Sequence, residues 1–455
     1  MNRKPFRYLF AFSIACIGFI GVPQFTLAKE TQLTQVLITN VNIFDGNDEK
    51  LATGLNLLVE GNKIKKISQT AIKTHAEATV LDGQGKTLTP GLIDMHQHIM
   101  LTGGTQAGTY EYDAYTQGAR GYKAMIDNLL MRGVTTIRDI AGNTLGLARA
   151  IRAGLLPGPR IYTSGPALST TGGHGDWGSY NDQIGQKDYQ ELVFNTVIAD
   201  GRAEVLKAAR QNFRNGASFI KVMAGGGVAS QYDPLEMSGY TFEELKAIVQ
   251  VAEDYESYVT VHAYHDRSYN RAMDAGVKMF EHGFLISEDT VKRMKKEGAI
   301  FSFQPFGGYT MFGGSFPDWF TPNMIKKGKR VHQGTARVAK WMKQHDVFMV
   351  LGSDMFGDDS KYAIDNVIAP VTIPGAGYTS FDCMKMSTGN AGKVLAMSGP
   401  ARDYYKEAKL GVIEEGAWAD LLIYEGNPVE NIKIIREDNN LKLIMKDGVI
   451  YKNTL

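Results

Sequence analysis

The chain has 455 residues, 44% of them hydrophobic and 21% charged, with 50 glycines. That is enough for one large domain with an appendage, or for two or three ordinary domains. A formal net charge of +1 implies no broad attraction to nucleic acid or to an anionic membrane, so the expected partner is a small molecule. Heptads, low-complexity tracts and solenoid-type repeats are not visible, which speaks against a coiled coil or a repeat array.

The first 28 residues read as a secretory signal. Arg3, Lys4 and Arg7 form a basic start, residues 8–22 are apolar, and small residues precede an expected cut after Ala28. The apolar run is somewhat short of a membrane span and is followed by Pro23, so no stable span is expected after cleavage. This predicts an exported protein, periplasmic or secreted. Of the two cysteines, Cys16 lies in the signal, in a poor lipobox, and Cys383 is left without an intrachain partner.

After the signal, "VLITNVNIFDGN", "LATGLNLLVEGNKIKKIS" and "ATVLDGQGKTLTP" alternate in hydropathy and are broken by Asp-Gly, Gly-Asn and Gln-Gly turns. Similar runs return in "GVIEEGAWADLLIYEGNP" and "NLKLIMKDGVIYKN". Residues 29–87 and 406–455 are therefore expected to form a small β-sandwich from both chain ends. Between them, eight strand-like runs alternate with helical stretches: "GLIDMHQH", "TTIRDIAG", "RIYTSG", "FIKVMAGGG", "YVTVHAYH", "MFEHGF", "AIFSFQP" and "FMVLGSDM". That is the arithmetic of a (β/α)8 TIM barrel over residues 88–405. A doubly wound sheet is the alternative, but no Gly-rich nucleotide fingerprint follows the first strand.

The polar residues fall at the strand ends. His96 and His98 finish the first run one residue apart, and in a strand residues i and i+2 share a face. Two imidazoles on one face suit a metal ion. Lys221 lies in the fourth run, His262 in the fifth, His282 ends the sixth and Asp354 ends the eighth. Singly, each has an ordinary structural explanation: a strand histidine, a helix-capping aspartate, a lysine whose head escapes the barrel mouth. Together they fall at the end of a barrel where active sites are built. Tyr264 shares the face of His262, and His174 sits in the Gly-rich loop "STTGGHGDW" after the third run. Arg138 could be a salt-bridge residue or a carboxylate binder.

The set "PGLIDMHQH", "FIKVMAGGG", "VHAYHD", "FEHG" and "LGSDM", with the tail "GAWADLLIYEGNP", strongly resembles the metal-dependent amidohydrolase superfamily. The closer likeness is to its imidazolonepropionase-like branch, which includes Xaa-Pro dipeptidases and ochratoxin amidases, and it spans about residues 33–450. The resemblance implies two divalent metal ions; histidine and carboxylate ligands suit zinc, with manganese or cobalt compatible. His96, His98 and Asp354 would hold one ion, His262 and His282 the other, and Lys221 would bridge them as N6-carboxylysine. It also implies that Asp354 acts as general base and then acid, with Tyr264 and His174 at the substrate, and that a metal-bridging hydroxide attacks the amide. Mononuclear imidazolonepropionases lack the bridging lysine, so Lys221 argues against that activity. The expected substrate is a dipeptide or N-acyl amino acid with an apolar residue, enclosed by aromatic insertions after the first and seventh runs. The rivals are a cyclic-amide hydrolase, an esterase or lactonase, and a metal-holding periplasmic solute-binding protein. A homo-oligomer is compatible with the sequence.

Overall fold

The computed structural model describes residues 33–102, 113–305, 316 and 319–455. The expected signal, residues 1–28, lies outside the described residues, as do Tyr110, Tyr112, Phe306, Tyr309 and Phe312 of the two aromatic insertions. Among the described residues no helix is long and apolar enough to cross a membrane.

Strands from both ends of the chain pair in a single eight-stranded sheet. Gln35–Ile43, Ala52–Glu60 and Lys63–Ser68 run antiparallel on one side. Leu421–Tyr424, Leu441–Lys446 and Val449–Asn453 run antiparallel on the other. Thr87–Pro90 joins the two groups, parallel to Gln35–Ile43 and antiparallel to Leu421–Tyr424, and Thr79–Asp82 pairs beside Gln35–Ile43. Its apolar side buries Ile38, Val41, Leu57, Leu88, Leu421 and Leu443, so the alternation read from sequence is the alternation of a half-buried sheet. The chain leaves this sheet at Gly91 and enters the first barrel strand at Leu92.

Eight parallel strands follow: Leu92–His98, Val134–Asp139, Arg160–Thr163, Ile220–Met223, Val259–Ala263, Met279–His282, Ile300–Phe303 and Phe348–Leu351. The first three pair in order, and so do the last five. Nearly every residue in them is buried, as expected for parallel strands covered on both faces. Helices such as Gly201–Asn215, Phe242–Asp254, Asp266–Ala275 and Glu288–Glu297 return the chain between strands.

Two seams interrupt the ladder. Between the third and fourth strands a short extra strand, Ala167–Ser169, takes a place beside Val222, and the third strand reaches the fourth unit through Ser218 N donating to Thr163 O at 2.8 Å. Between the eighth and first strands the link is made past the strand end: Asp354 N donates to His96 O at 2.7 Å, and Met355–Phe356 pairs with Gln97 and His98. The buried Asp94 carboxylate ties this seam, accepting from Ser353 N at 2.9 Å and from His96 N at 3.0 Å. The second seam is where the polar residues gather.

Candidate metal centre

His96 and His98 point the same way, as their spacing predicts, and their Nε2 atoms lie 3.2 Å apart. Asp354 Oδ1 meets them both, 3.0 Å from His96 Nε2 and 3.3 Å from His98 Nε2. One ligand atom from each of the three falls within 4.8 Å of the others. Gly352 makes this approach possible, because a Cβ there would lie 2.3 Å from the Cβ of His96.

The sixth strand shows how His282 arrives. Register pairs His262 with Glu281 and Ala263 with His282. Glu281 therefore shares the inward face of His262, and an extended His282 would point outward. Its φ of +67° turns the strand end over instead. The imidazole comes 4.5 Å from His262, 5.0 Å from His96 and 5.1 Å from Tyr264, centroid to centroid. Asp354 has φ +61°. Two non-glycine residues in the left-handed region, at one site, are strain held by the surroundings.

Lys221 is fully buried and lines the same pocket as His262, His282 and Asp354. Burial pushes its amine down to about 8, against the pull of Glu281 and Asp354. Burial also lowers His98 to about 4 and holds His262 and His282 well below the usual imidazole range, so these rings are neutral near pH 7. Burial would raise the Asp354 carboxyl, but the neighbouring imidazoles, His96 first, hold it well below the usual carboxylate range. Neutral imidazoles and an ionised carboxylate are the donor states a divalent cation requires. The residues present fit such an ion.

Tyr264 is buried and packs its ring against His282 and edge-on to His262. Burial holds its phenol well above the usual value, so it keeps its proton as a donor. His174 stacks on His262 at 4.0 Å, with Nδ1 2.7 Å from Ser230 Oγ and 3.6 Å from Asp233 Oδ2. Gly227 leaves room for that ring: a Cβ there would lie 2.0 Å from His174 Nδ1. The eight residues expected to act in catalysis or metal binding thus gather at one mouth of the barrel.

Residues that carried no role in the sequence support them. Glu281, fully buried, accepts from His96 Nδ1 at 2.9 Å and Gln304 Nε2 at 3.2 Å and pairs with Arg138. Holding Nδ1 turns Nε2 of His96 toward Asp354, the arrangement typical of a metal-ligating histidine. Arg138, open between two readings, is the buried partner of Glu281 and also donates to Met95 O at 2.6 Å, so it is no substrate contact. Gln304 Oε1 accepts from His282 N at 2.9 Å. Asp233 is pinned by Gly227 N and lies 3.8 Å from Lys327 Nζ. An acid next to a histidine in an otherwise apolar strand, as in "FEHG", was the signal available for Glu281.

The pocket above the cluster is lined by Trp177, Trp319, Phe320, Phe356, Phe284 and Val331, among others. Trp319 stacks on Phe356 at 5.9 Å, and Phe356 contacts His98 edge-on at 5.7 Å. Tyr115, expected with the first insertion, is 88% exposed and encloses nothing.

Residues 87–451 match the amidohydrolase family. The chain belongs to that family. Amidohydrolases are metal-dependent, and this one lies in the imidazolonepropionase-like branch and is a hydrolase of amide C–N bonds. Ochratoxinase of Aspergillus niger is 29% identical over 397 residues, covering 84% of this chain and 78% of the relative. The crystal structure of a prolidase complexed with N-methylphosphonate-L-proline is 29% identical, with a TM-score of 0.83 over 92% of this chain and 100% of that one. A Xaa-Pro dipeptidase with bound methionine in the active site is 27% identical, with a TM-score of 0.80 over the same shares of the two chains. The amidohydrolase barrel accounts for the order of the eight strands and for the face on which the polar residues meet.

Proposed function

We propose that this enzyme is an exported, binuclear amidohydrolase that cleaves a small amide, a dipeptide or N-acyl amino acid with an apolar residue beside the scissile bond. The observation that carries this reading is the convergence of His96, His98, Asp354, His262, His282 and Lys221 at one apolar pocket. The resemblances to ochratoxinase and to prolidases point to the same bond class. His96, His98 and Asp354 would hold one divalent ion and His262 and His282 the other, and Lys221, its amine lowered to about 8 by burial, would join the set after taking up carbon dioxide and releasing a proton to become a carbamate. Zinc suits this donor set. Bound ions supply a water acidic enough to react near neutral pH and polarise the substrate carbonyl.

Asp354 accepts the proton of the attacking water and returns it to the leaving nitrogen. Its backbone bond to His96 O keeps the carboxylate at the seam through both transfers. Tyr264 donates to the carbonyl oxygen as negative charge grows there. His174, with Nδ1 engaged by Ser230, offers its other nitrogen to the substrate. The aromatic wall excludes water and favours an apolar side chain. Turnover of a dipeptide and N-acyl amino acid panel by metal-loaded protein is the test. Hydrolysis of Phe- or Pro-ending substrates at least about tenfold above Lys- or Asp-ending ones is expected. Metal binding without turnover of any amide would overturn this reading and leave the esterase, lactonase and solute-binding alternatives.

A further inference from the structure

The segment after the eighth barrel strand carries a charge that amide hydrolysis itself leaves unused. Gly357–Tyr362 forms a 3-10 turn with Phe356 as its N-cap. Residues three apart eclipse one another in such a turn, at about 6 Å of rise. Phe356, which touches His98 and Trp319, and Asp359 therefore lie on one side of it, and both line the pocket. The neighbours of Asp359 fix the turn. Asp358 accepts from Arg120 at 3.1 Å, and Ser360 Oγ donates to Gly357 O at 2.8 Å while Asn128 Nδ2 donates to it at 3.1 Å.

Asp359 itself is half-buried and makes no hydrogen bond or ion pair among the described residues. Burial pushes its carboxyl up from the ordinary range. Lys361, which attracts it electrostatically, sets its own ammonium over the Tyr362 ring at 5.1 Å. Outside the candidate metal centre and His174, Asp359 alone carries a formal charge among the described lining residues. A carboxylate partly withdrawn from water at an apolar wall, with no protein partner among the described residues, gains by meeting a cation there. The rings of Phe356 and Trp319 would favour the same cation.

We propose that Asp359 is a specificity-determining residue that binds the free α-ammonium of a dipeptide, so that the enzyme is a dipeptidase and discriminates against N-acyl amino acids. This rests on the amide-hydrolase reading above and narrows its substrate. The choice of the α-ammonium over a basic side chain follows from place. The α-amine is one carbon from the scissile carbonyl, and Asp359 lies one turn from the residue that touches His98. A side-chain ammonium would lie several bonds further out.

Glycyl-phenylalanine and acetyl-phenylalanine differ only in that amine, which makes them the matched pair. With metal-loaded protein, kcat/KM for glycyl-phenylalanine is expected to exceed that for acetyl-phenylalanine by about 10- to 100-fold, the range for one hydrogen bond to a charged group. Asp359→Asn should remove most of that preference through KM and leave acetyl-phenylalanine within about threefold. Asp359→Glu should restore part of it. Acetyl-lysine reports on a side-chain ammonium: a loss confined to it in Asp359→Asn would overturn the assignment, as would equal losses on both members of the pair or a wild-type preference for acetyl-phenylalanine. Failure of wild-type protein to hydrolyse either compound would sink the hydrolase reading instead. Tryptophan-fluorescence titration of the metal-loaded Asp354→Asn protein, with and without Asp359→Asn, measures the same preference as a ratio of dissociation constants, independently of turnover.

Discussion

The two halves of the candidate centre are built differently. His96, His98 and Asp354 are drawn together by direct contacts of 3.0–3.3 Å and anchored behind by Glu281, Asp94 and the backbone of the closing seam. His262, His282 and Lys221 are joined more loosely: the two rings meet edge-on at 4.5 Å, His282 Nδ1 lies 3.8 Å from Asp354 Oδ2, His262 bonds the Gly226 carbonyl at 3.2 Å and stacks on His174, while buried Lys221, attracted by Glu281 and Asp354, has no carboxylate within salt-bridge reach among the described residues. The first half is held by direct contacts among its own side chains. The second is held more loosely, and under the proposed reading a carbamate on Lys221 would be its further link.

The comparison is broken most severely by removing that lysine. Lys221→Ala is expected to lower bound metal from two ions towards one, kept by the first half, and to abolish turnover. Short carboxylic acids should restore part of both by standing in for the carbamate. Metal analysis beside kinetics decides the matter, and full occupancy with normal activity would end the binuclear reading. Asp354, a member of the first half, also approaches His282 of the second at 3.8 Å, so Asp354→Asn touches both. It should lower kcat by roughly 10³-fold or more with KM changed far less, whereas Tyr264→Phe, which removes one donor, should cost on the order of 10²-fold. Equal effects of the two would mean their roles are misassigned.

These tests rest on residues that could be read without coordinates, because barrel strands advertise themselves as short apolar runs at regular spacing and His96 and His98 share a face by simple alternation. Other features could not be read that way. Glu281 faces inward only because register pairs it with His262, and His282 follows it into the pocket only because of its positive φ. Neither register nor a single dihedral is written in a strand's composition. Arg138 stayed open for the same reason: "TTIRD" does not say which acid lies across the barrel. The extra strand Ala167–Ser169 was hidden in a Gly- and Ser-rich loop, where three residues give no periodicity. The terminal runs declared themselves as strands, but not that Thr87–Pro90 would join both groups into one sheet.

Glu281 gives a subtler way to sharpen the contrast. Glu281→Gln keeps the shape but leaves Arg138 unpaired and weakens the hold on His96 Nδ1. Metal affinity should fall about 10- to 100-fold, and the loss should fall on the ion of the first half. Competition with a chelator, read ion by ion, separates this from general destabilisation. If both ions weaken equally, the two halves are not independently organised.

An effect expected on stability and not on turnover or metal content concerns a support behind the first half. Asp139, fully buried at the end of the second strand, accepts from Ile99 N at 2.9 Å and Thr144 Oγ1 at 3.1 Å, and so fixes the chain just after His98. Burial raises its carboxyl from 3.8 to about 7. The folded protein therefore holds a proton there that the unfolded chain releases above about pH 4. Between those two values the folded state binds more protons, so this group's contribution to stability falls as pH rises and has been lost once pH passes about 7. A shift of about three units corresponds to on the order of 4 kcal/mol across the window. Asp139→Asn keeps an acceptor for Ile99 N without a charge to bury. Thermal melts of the two proteins from pH 4 to pH 9 should therefore diverge, the wild type losing stability relative to the variant up to about pH 7 and running parallel to it beyond. Parallel curves throughout would mean that Asp139 keeps an ordinary carboxyl.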